Sequence, residues 1–297
     1  MGKKRAPAAK GTTELRYKLT NDILFKMVFV QHPELLRRLV AELLGIPYGN
    51  ITEFEVTNAE IPPDLLGDKF CRLDVNMKVD GRRVDLEVQV ADEHDYAERS
   101  LYLWAREYSS ALQAGHGYAE LPRVVVLSIV DFPMFDAEDF HSEFLPLEAK
   151  RGTPLTDRMS LHYFELPKIP EPTSADGELK LWLALFGAKT EEDIMKIQEM
   201  DVPVMEQAIG AYRAVSASDE FREMERLRDL ARHNEASALA NARREATADA
   251  DAKWQGVVAD KDAALADKDA ALADKDAAVA EQAAIIAELR AQLGKDK

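Results

Sequence analysis

Two short alternating stretches joined by Asp80-Gly81 restrict this chain more than anything else in its sequence. Over 71–79, Leu73, Val75, Met77 and Val79 alternate with Arg72, Asp74, Asn76 and Lys78; over 82–90, Val84, Leu86, Val88 and Val90 alternate with Arg83, Asp85, Glu87 and Gln89. A period of two is that of a strand with one buried face, and Asp-Gly is a strong signal for a two-residue hairpin turn. The turn sets the register. Met77 faces Val84, Val75 faces Leu86 and Leu73 faces Val88, and a slip by one residue would turn every apolar side chain to the other face. On the polar face Asn76 meets Asp85, Arg72 meets Gln89, and Asp74 lies directly opposite Glu87.

Side chains directly opposite in a sheet have Cβ atoms about 4.5–5.5 Å apart, and two carboxylates there repel by up to about 1 kcal/mol. A hard divalent cation between them reverses the sign. Mg²⁺ favours one or two carboxylates completed by water and phosphate oxygens. The alternative is a solvated polar face that happens to be acidic. Asp85 and Asn76 make this face polar throughout, and both readings stay open on spacing alone.

Around the hairpin the pattern is α/β. From Leu19 apolar residues recur at three and four, with caps at Thr20-Asn21-Asp22, a break at Pro33 and a stop at Gly45-Ile46-Pro47. Residues 51–58 read as a strand or an extended segment, and 97–114 as a helix ended by Gly115. The continuous apolar run Val124–Val130 reads as a buried central strand. A strand at 161–166 precedes a turn rich in proline, Pro167, Pro170 and Pro172, after which only helix is expected. Leu179, Trp182, Leu183 and Phe186 form one stripe; Ile194, Ile197, Val204, Met205, Ile209 and Tyr212 suggest two short helices; a long charged helix starts near Asp219. The predicted divisions are a disordered basic arm at 1–15, a core domain at 16–170, a helical region at 176–250 and a heptad-repeat helix or tail at 251–297.

The tail repeats DKDAALA, DKDAALA, DKDAAVA over 260–280, and Val258, Leu265, Leu272, Val279, Ile286 and Leu293 are spaced by seven. That period suits a coiled coil and a homodimer through the C-terminal helices. The second seam position falls on Asp or Lys, so a solvated Ala-rich helix is the competing reading. The net charge of −16 argues against non-specific coating of nucleic acid but leaves room for a local basic patch. No apolar run reaches the roughly 18–20 residues of a membrane span. The basic N-terminus has no apolar segment behind it, and the single Cys71 fits a reducing compartment. A cytoplasmic protein with no membrane association is expected.

An Asp on one strand followed by Glu-x-Gln on the next resembles the PD-(D/E)XK nuclease superfamily, and within it the Rpn family of recombination-promoting nucleases. The resemblance is carried by Leu19-Thr20-Asn21-Asp22 with Phe25-Lys26 and Phe29, by Leu73-Asp74, by Glu87-Val88-Gln89, by Arg99, Tyr102 and Tyr108, and by the strand ending at Asp131-Phe132. It spans roughly residues 16–240. Leu73 stands where the superfamily name has proline and Gln89 where it has lysine. The resemblance implies a restriction-endonuclease-like mixed sheet flanked by helices, followed by a helical region and a long Ala-rich helix. It implies a Mg²⁺- or Mn²⁺-dependent endodeoxyribonuclease acting in recombination or in defence against foreign DNA. Asp74 and Glu87, with the carbonyl of Val88, would hold the metal, and Gln89 would orient the attacking water.

Asp22 has two readings, a third acidic group at the site or a cap of the first helix. Lys26 would contact phosphate or extend over the helix surface. Lys69, Arg72, Lys78, Arg82, Arg83, Arg99, Tyr102 and Arg106 are the candidate DNA-contacting residues, positioning the duplex without reading its sequence. His94, His116 and His162 lack metal-ligand spacing and read as structural. A separately produced C-terminal fragment that inhibits the whole chain is a further expectation, with Met195, Met200, Met205 and Met224 as internal starts. The competing function is a catalytically silent scaffold that binds a partner through its helices.

Overall fold

The computed structural model describes residues 13–58, 74–112, 115 and 117–293. Expectations on Lys69, Cys71, Arg72, Leu73 and His116 lie outside these residues, as does most of the N-terminal arm. The described end of that arm is paired: Glu14 forms a β-bridge with Thr190, and the Leu15 N–H donates to Lys189 O at 2.9 Å.

Two helices, α1 (Asp22–Gln31) and α2 (Pro33–Leu44), lead into β1 (Phe54–Val56), followed by the hairpin β2 (Val75–Val79) and β3 (Arg82–Gln89). Then come α3 (Tyr96–Ser110), β4 (Val124–Val130), β5 (His141–Phe144) and β6 (Met159–Glu165). The helices α4 (Glu178–Gly187), α5 (Glu191–Gln198), α6 (Pro203–Ser216) and α7 (Asp219–Leu293) complete the chain. The strands form one six-stranded sheet in the order β1-β2-β3-β4-β6-β5, with β3, β4 and β6 parallel and the remaining pairs antiparallel. The α/β architecture with a mixed sheet is as expected, and β5 is an edge strand that the sequence pattern did not announce.

The hairpin has the expected register: Val75 pairs with Leu86, Asn76 with Asp85 and Met77 with Val84. Asp80 and Gly81 both take positive φ, 46° and 74°, as a tight hairpin turn requires. Asp80 also fixes the turn to the preceding segment. Its Oδ1 accepts from the Thr52 and Glu53 N–H groups, each at 2.9 Å, and these bonds hold its carboxyl below the usual range.

The two faces of the sheet bury different partners. Val75, Met77, Val79, Val84, Leu86, Val125, Leu127, Ile129 and Phe164 share one core with α1, α2, α4, α5 and α6. Val126, Val130, Leu161 and Tyr163 pack with Tyr96 and Trp104 of α3 on the other. In α1 every residue from Ile23 to Phe29 is buried, because helices cover the side that the sheet does not. This burial corrects the reading of Lys26: it is 3% exposed, so it neither lies over a helix surface nor offers a ready phosphate contact.

The expected division at 170–176 falls inside a single compact unit, residues 1–231, since Leu166, Ile169 and α4 belong to the same core as α1. Residues 232–297 form the second unit, a continuation of α7 whose described side chains are almost all exposed. No helix among the described residues is long and apolar enough to cross a membrane.

Candidate metal centre

Strand alternation sends Asp85, Glu87 and Gln89 from β3 to the face covered by α3, away from the large core. All three are buried, at 1%, 3% and 5% exposure. Asp74 precedes β2 and continues its register opposite Glu87. Its main chain is tied to Asn58, whose Nδ2 donates to Asp74 O at 3.1 Å and whose Oδ1 accepts from the Asn76 N–H at 2.7 Å. The side chain of Asn76 donates to Asp74 Oδ2 at 3.0 Å. One carboxylate oxygen from each of Asp74, Asp85 and Glu87 lies within 4.8 Å of the others.

Helix α3 completes the site. The Tyr96 hydroxyl lies 3.1 Å from Glu87 Oε2, to which it donates, and 3.0 Å from Ser128 Oγ on β4. Burial, and next the charge of Glu87, push the Tyr96 hydroxyl well above its usual range, so it stays protonated and able to donate. Arg99, one turn on, places Nη2 3.9 Å from Glu87 Oε1. The Gln89 amide donates to Ala91 O at 2.6 Å.

Asp85 is the unusual member. Burial first, and then the charges of Asp74 and Glu87, push its carboxyl well above the ordinary range. Neither oxygen accepts a hydrogen bond from a donor group. The polar group it approaches, Asp74, is itself an acid, so only a shared proton or a cation joins the two. Asp85 also lines a cavity of about 240 Å³ with Asn76, Arg83 and Glu107.

The residues fit a hard divalent cation. All the donors are oxygen, they cluster on a shielded face, and two carboxylate oxygens lack a donor. Ligands at about 2.0–2.6 Å from one ion lie at most about 4–5 Å apart, which accommodates the observed spread.

The other expected site residues divide. Asp22 is not in the cluster, nor is it the helix cap. Asn21 is the cap, its Oδ1 accepting from the Leu24 N–H at 2.9 Å. The Asp22 carboxylate accepts the Ile23 N–H at 3.0 Å and pairs through both oxygens with Arg228 of α7, beside Glu225 and Asn21. Neither reading of Asp22 anticipated this partner, which lies 206 residues away along the chain. Arg83 is held by Ser110 Oγ at 2.9 Å and faces the Glu107 carboxylate at 3.6 Å, which ties it to α3. Tyr102 is 66% exposed and Arg106 is exposed on the outer side of α3, while Arg82 is half-buried beside the hairpin turn. His162 is structural, lying 3.1 Å from His141 Nε2 through Nδ1 and stacked on it, with burial lowering its pKa to about 4.

Sequence reasoning missed three residues that surround the expected pair. Asp85 was visible on the acidic face but counted there only as general polarity. Tyr96 and Ser128 carry no local signal, because they meet Glu87 only once α3 and β4 have folded against β3.

An antiparallel hairpin continued by parallel strands, with its acidic face beneath a helix, defines a PD-(D/E)XK-type α/β nuclease fold. The chain belongs to the PD-(D/E)XK nuclease family transposases, whose family model matches residues 19–242. That match includes α4–α6 and the first part of α7, so these helices belong to the family's own architecture. No curated protein and no solved structure matches the chain.

Proposed function

We propose that this chain is a divalent-metal-dependent DNA endonuclease, using Mg²⁺ or Mn²⁺ and acting in recombination or in defence against foreign DNA. The observation that carries the reading is the convergence of the Asp74 and Glu87 carboxylates, an oxygen of each within 4.8 Å of the other, on one face of the hairpin. Asp74 and Glu87, with the Val88 carbonyl, are assigned as ligands. When bound, the cation polarises the scissile phosphate and lowers the pKa of an attacking water. Gln89 hydrogen-bonds that water and orients it, its own side chain fixed by Ala91. Tyr96 holds Glu87 in one rotamer. Arg99, Tyr102 and Arg106 of α3, with Arg82 on the hairpin, track the DNA backbone.

Nicking of supercoiled plasmid by the purified full chain tests this. Cutting is expected with Mg²⁺ or Mn²⁺ and none with a chelator. A clean preparation that cuts no DNA or RNA form with either metal overturns it. The second reading, a silent scaffold, would then hold. It is favoured by one observation: Val258, Leu265, Leu272, Val279 and Ile286, spaced by seven, are each about half exposed or more along α7. The same stripe supports a homodimer through the tail.

Two substitutions probe the supporting roles. Tyr96→Phe removes one hydrogen bond to a charged acceptor, worth about 1.5–3 kcal/mol. Cleavage at saturating DNA is expected to fall about tenfold or more, with DNA affinity unchanged and more Mn²⁺ needed for half-activation. An unchanged metal requirement would reduce Tyr96 to packing. Gln89→Lys adds a positive charge that stabilises an anionic transition state, so equal or faster cutting at lower Mg²⁺ is expected. A large loss of cutting would show that the amide is required.

A further inference from the structure

Two carboxylates and a carbonyl suffice for the reading above, and it leaves Asp85 without a role. A carboxylate buried with no donor is strongly unfavourable, and acidic neighbours add repulsion. Elsewhere the fold treats a buried acid differently. Glu165, fully buried, accepts from the Met134 and Phe135 N–H groups at 2.6 and 3.2 Å and from Lys168 Nζ at 2.7 Å. Asp85, 1% exposed, has no such donors. Its surroundings are the oxygens of Asp74 and Glu87, within 4.8 Å, and a cavity with room for water. Two neighbouring oxygens open toward acids are what a cation ligand looks like before the cation arrives.

We propose that Asp85 is a third ligand of the centre, so that this chain holds its divalent cation through three carboxylates and binds it before DNA arrives. The inference rests on the reading of the cluster as a metal centre. Its physical basis is the charge count: each added carboxylate raises the affinity of a hard-cation site. A two-carboxylate Mg²⁺ site draws on substrate phosphate to complete its shell, whereas a three-carboxylate site depends on it less. A cation bound only by the folded chain also stabilises it. Removing Asp85 therefore acts in opposite directions with and without metal.

The test is calorimetric titration of the metal-free full chain with Mn²⁺, without nucleic acid, together with thermal melts in chelator and in Mn²⁺. The parent chain is expected to take up Mn²⁺ and to melt higher when loaded. Asp85→Asn is expected to bind Mn²⁺ at least tenfold more weakly, to melt about 2–4 °C higher than the parent in chelator, and to lose most of the gain from Mn²⁺. Asp85→Ala serves as a second variant with no side-chain amide. Parent-like Mn²⁺ affinity in both folded variants overturns the inference while leaving the two-carboxylate centre in place. A parent chain that takes up no Mn²⁺ without DNA also overturns it, and the plasmid assay then decides separately whether the chain is a nuclease.

Discussion

Glu87→Gln is expected to lower Mg²⁺-dependent plasmid cutting by about 10³-fold or more while leaving the protein folded. Glu87 is where the site's interactions meet: it faces Asp74 across the hairpin, lies near Asp85 on the same strand, accepts from Tyr96 and approaches Arg99. Metal assistance contributes several kcal/mol to stabilising charge in the transition state, and each 1.36 kcal/mol is a factor of ten in rate. Glutamine keeps the volume and an oxygen for the Tyr96 hydroxyl but removes the charge proposed to hold the cation. One negative charge also leaves a crowded acidic cluster, so melting in chelator is expected to be unchanged or higher. Lost cutting with intact melting separates a role at the centre from a role in folding. Cutting within tenfold of the parent, measured on the same preparations, would remove Glu87 from the metal-binding set.

What could be read from the sequence follows from the range of the forces involved. The hairpin was legible because its signals are local: a period of two on both arms and an Asp-Gly turn whose positive φ values few other pairs accept. With the register came the Asp74–Glu87 pair. Alternation also put Asp85 on that face, but it says nothing of what covers a face. The cover is α3, and only its presence turns Asp85 from a solvated acid into a buried one. Tyr96 reaches Glu87 because the segment at 90–95 brings the helix back over the strand, a path no periodicity encodes. Asp22 accepts the Ile23 N–H at the start of α1, as a capping role implies, although Asn21 holds the cap position; its pairing with Arg228, 206 residues on, has no local signal. β5, His-Ser-Glu-Phe, is an edge strand with two exposed residues and no apolar alternation to reveal it. The proline-rich segment at 167–172 resembles a linker, yet the helices after it return to α1. A helix apolar on all sides, as α1 is from Ile23 to Phe29 with Lys26 the exception, needs more partners than one sheet supplies.

That return of the chain gives the second large effect. A chain ending at residue 175 is expected not to fold, whereas one ending at Ala231 keeps a cooperative melt. Trp182 and Phe186 of α4 are fully buried against Phe29, which stacks on Phe186 at a 6.0 Å centroid distance, and Phe25 lies 6.0 Å from Phe186. Ile194, Ile197, Met205, Ile209, Val215 and Phe221 continue this core through α5, α6 and the start of α7. Burying one such side chain contributes about 1.5–3 kcal/mol. Losing all of them removes more than the roughly 5–15 kcal/mol by which a domain of this kind is stable. It would also expose the apolar side of α1, so aggregation is the expected outcome. Truncation after 231 instead keeps the Asp22–Arg228 pair and the edge-on contact of Tyr17 with Phe221 at 4.8 Å. Any regulation by the tail is therefore to be sought by cutting the chain after Ala231, since a cut at 175 removes core rather than tail. Phe29→Ala in the full chain gives a graded version of the same test, with an expected loss of about 3–5 kcal/mol in chemical denaturation. A cooperative unfolding transition in a chain of residues 1–175, or a loss below about 1 kcal/mol for Phe29→Ala, would show that α4–α6 are an appended region and not part of the core that positions the hairpin.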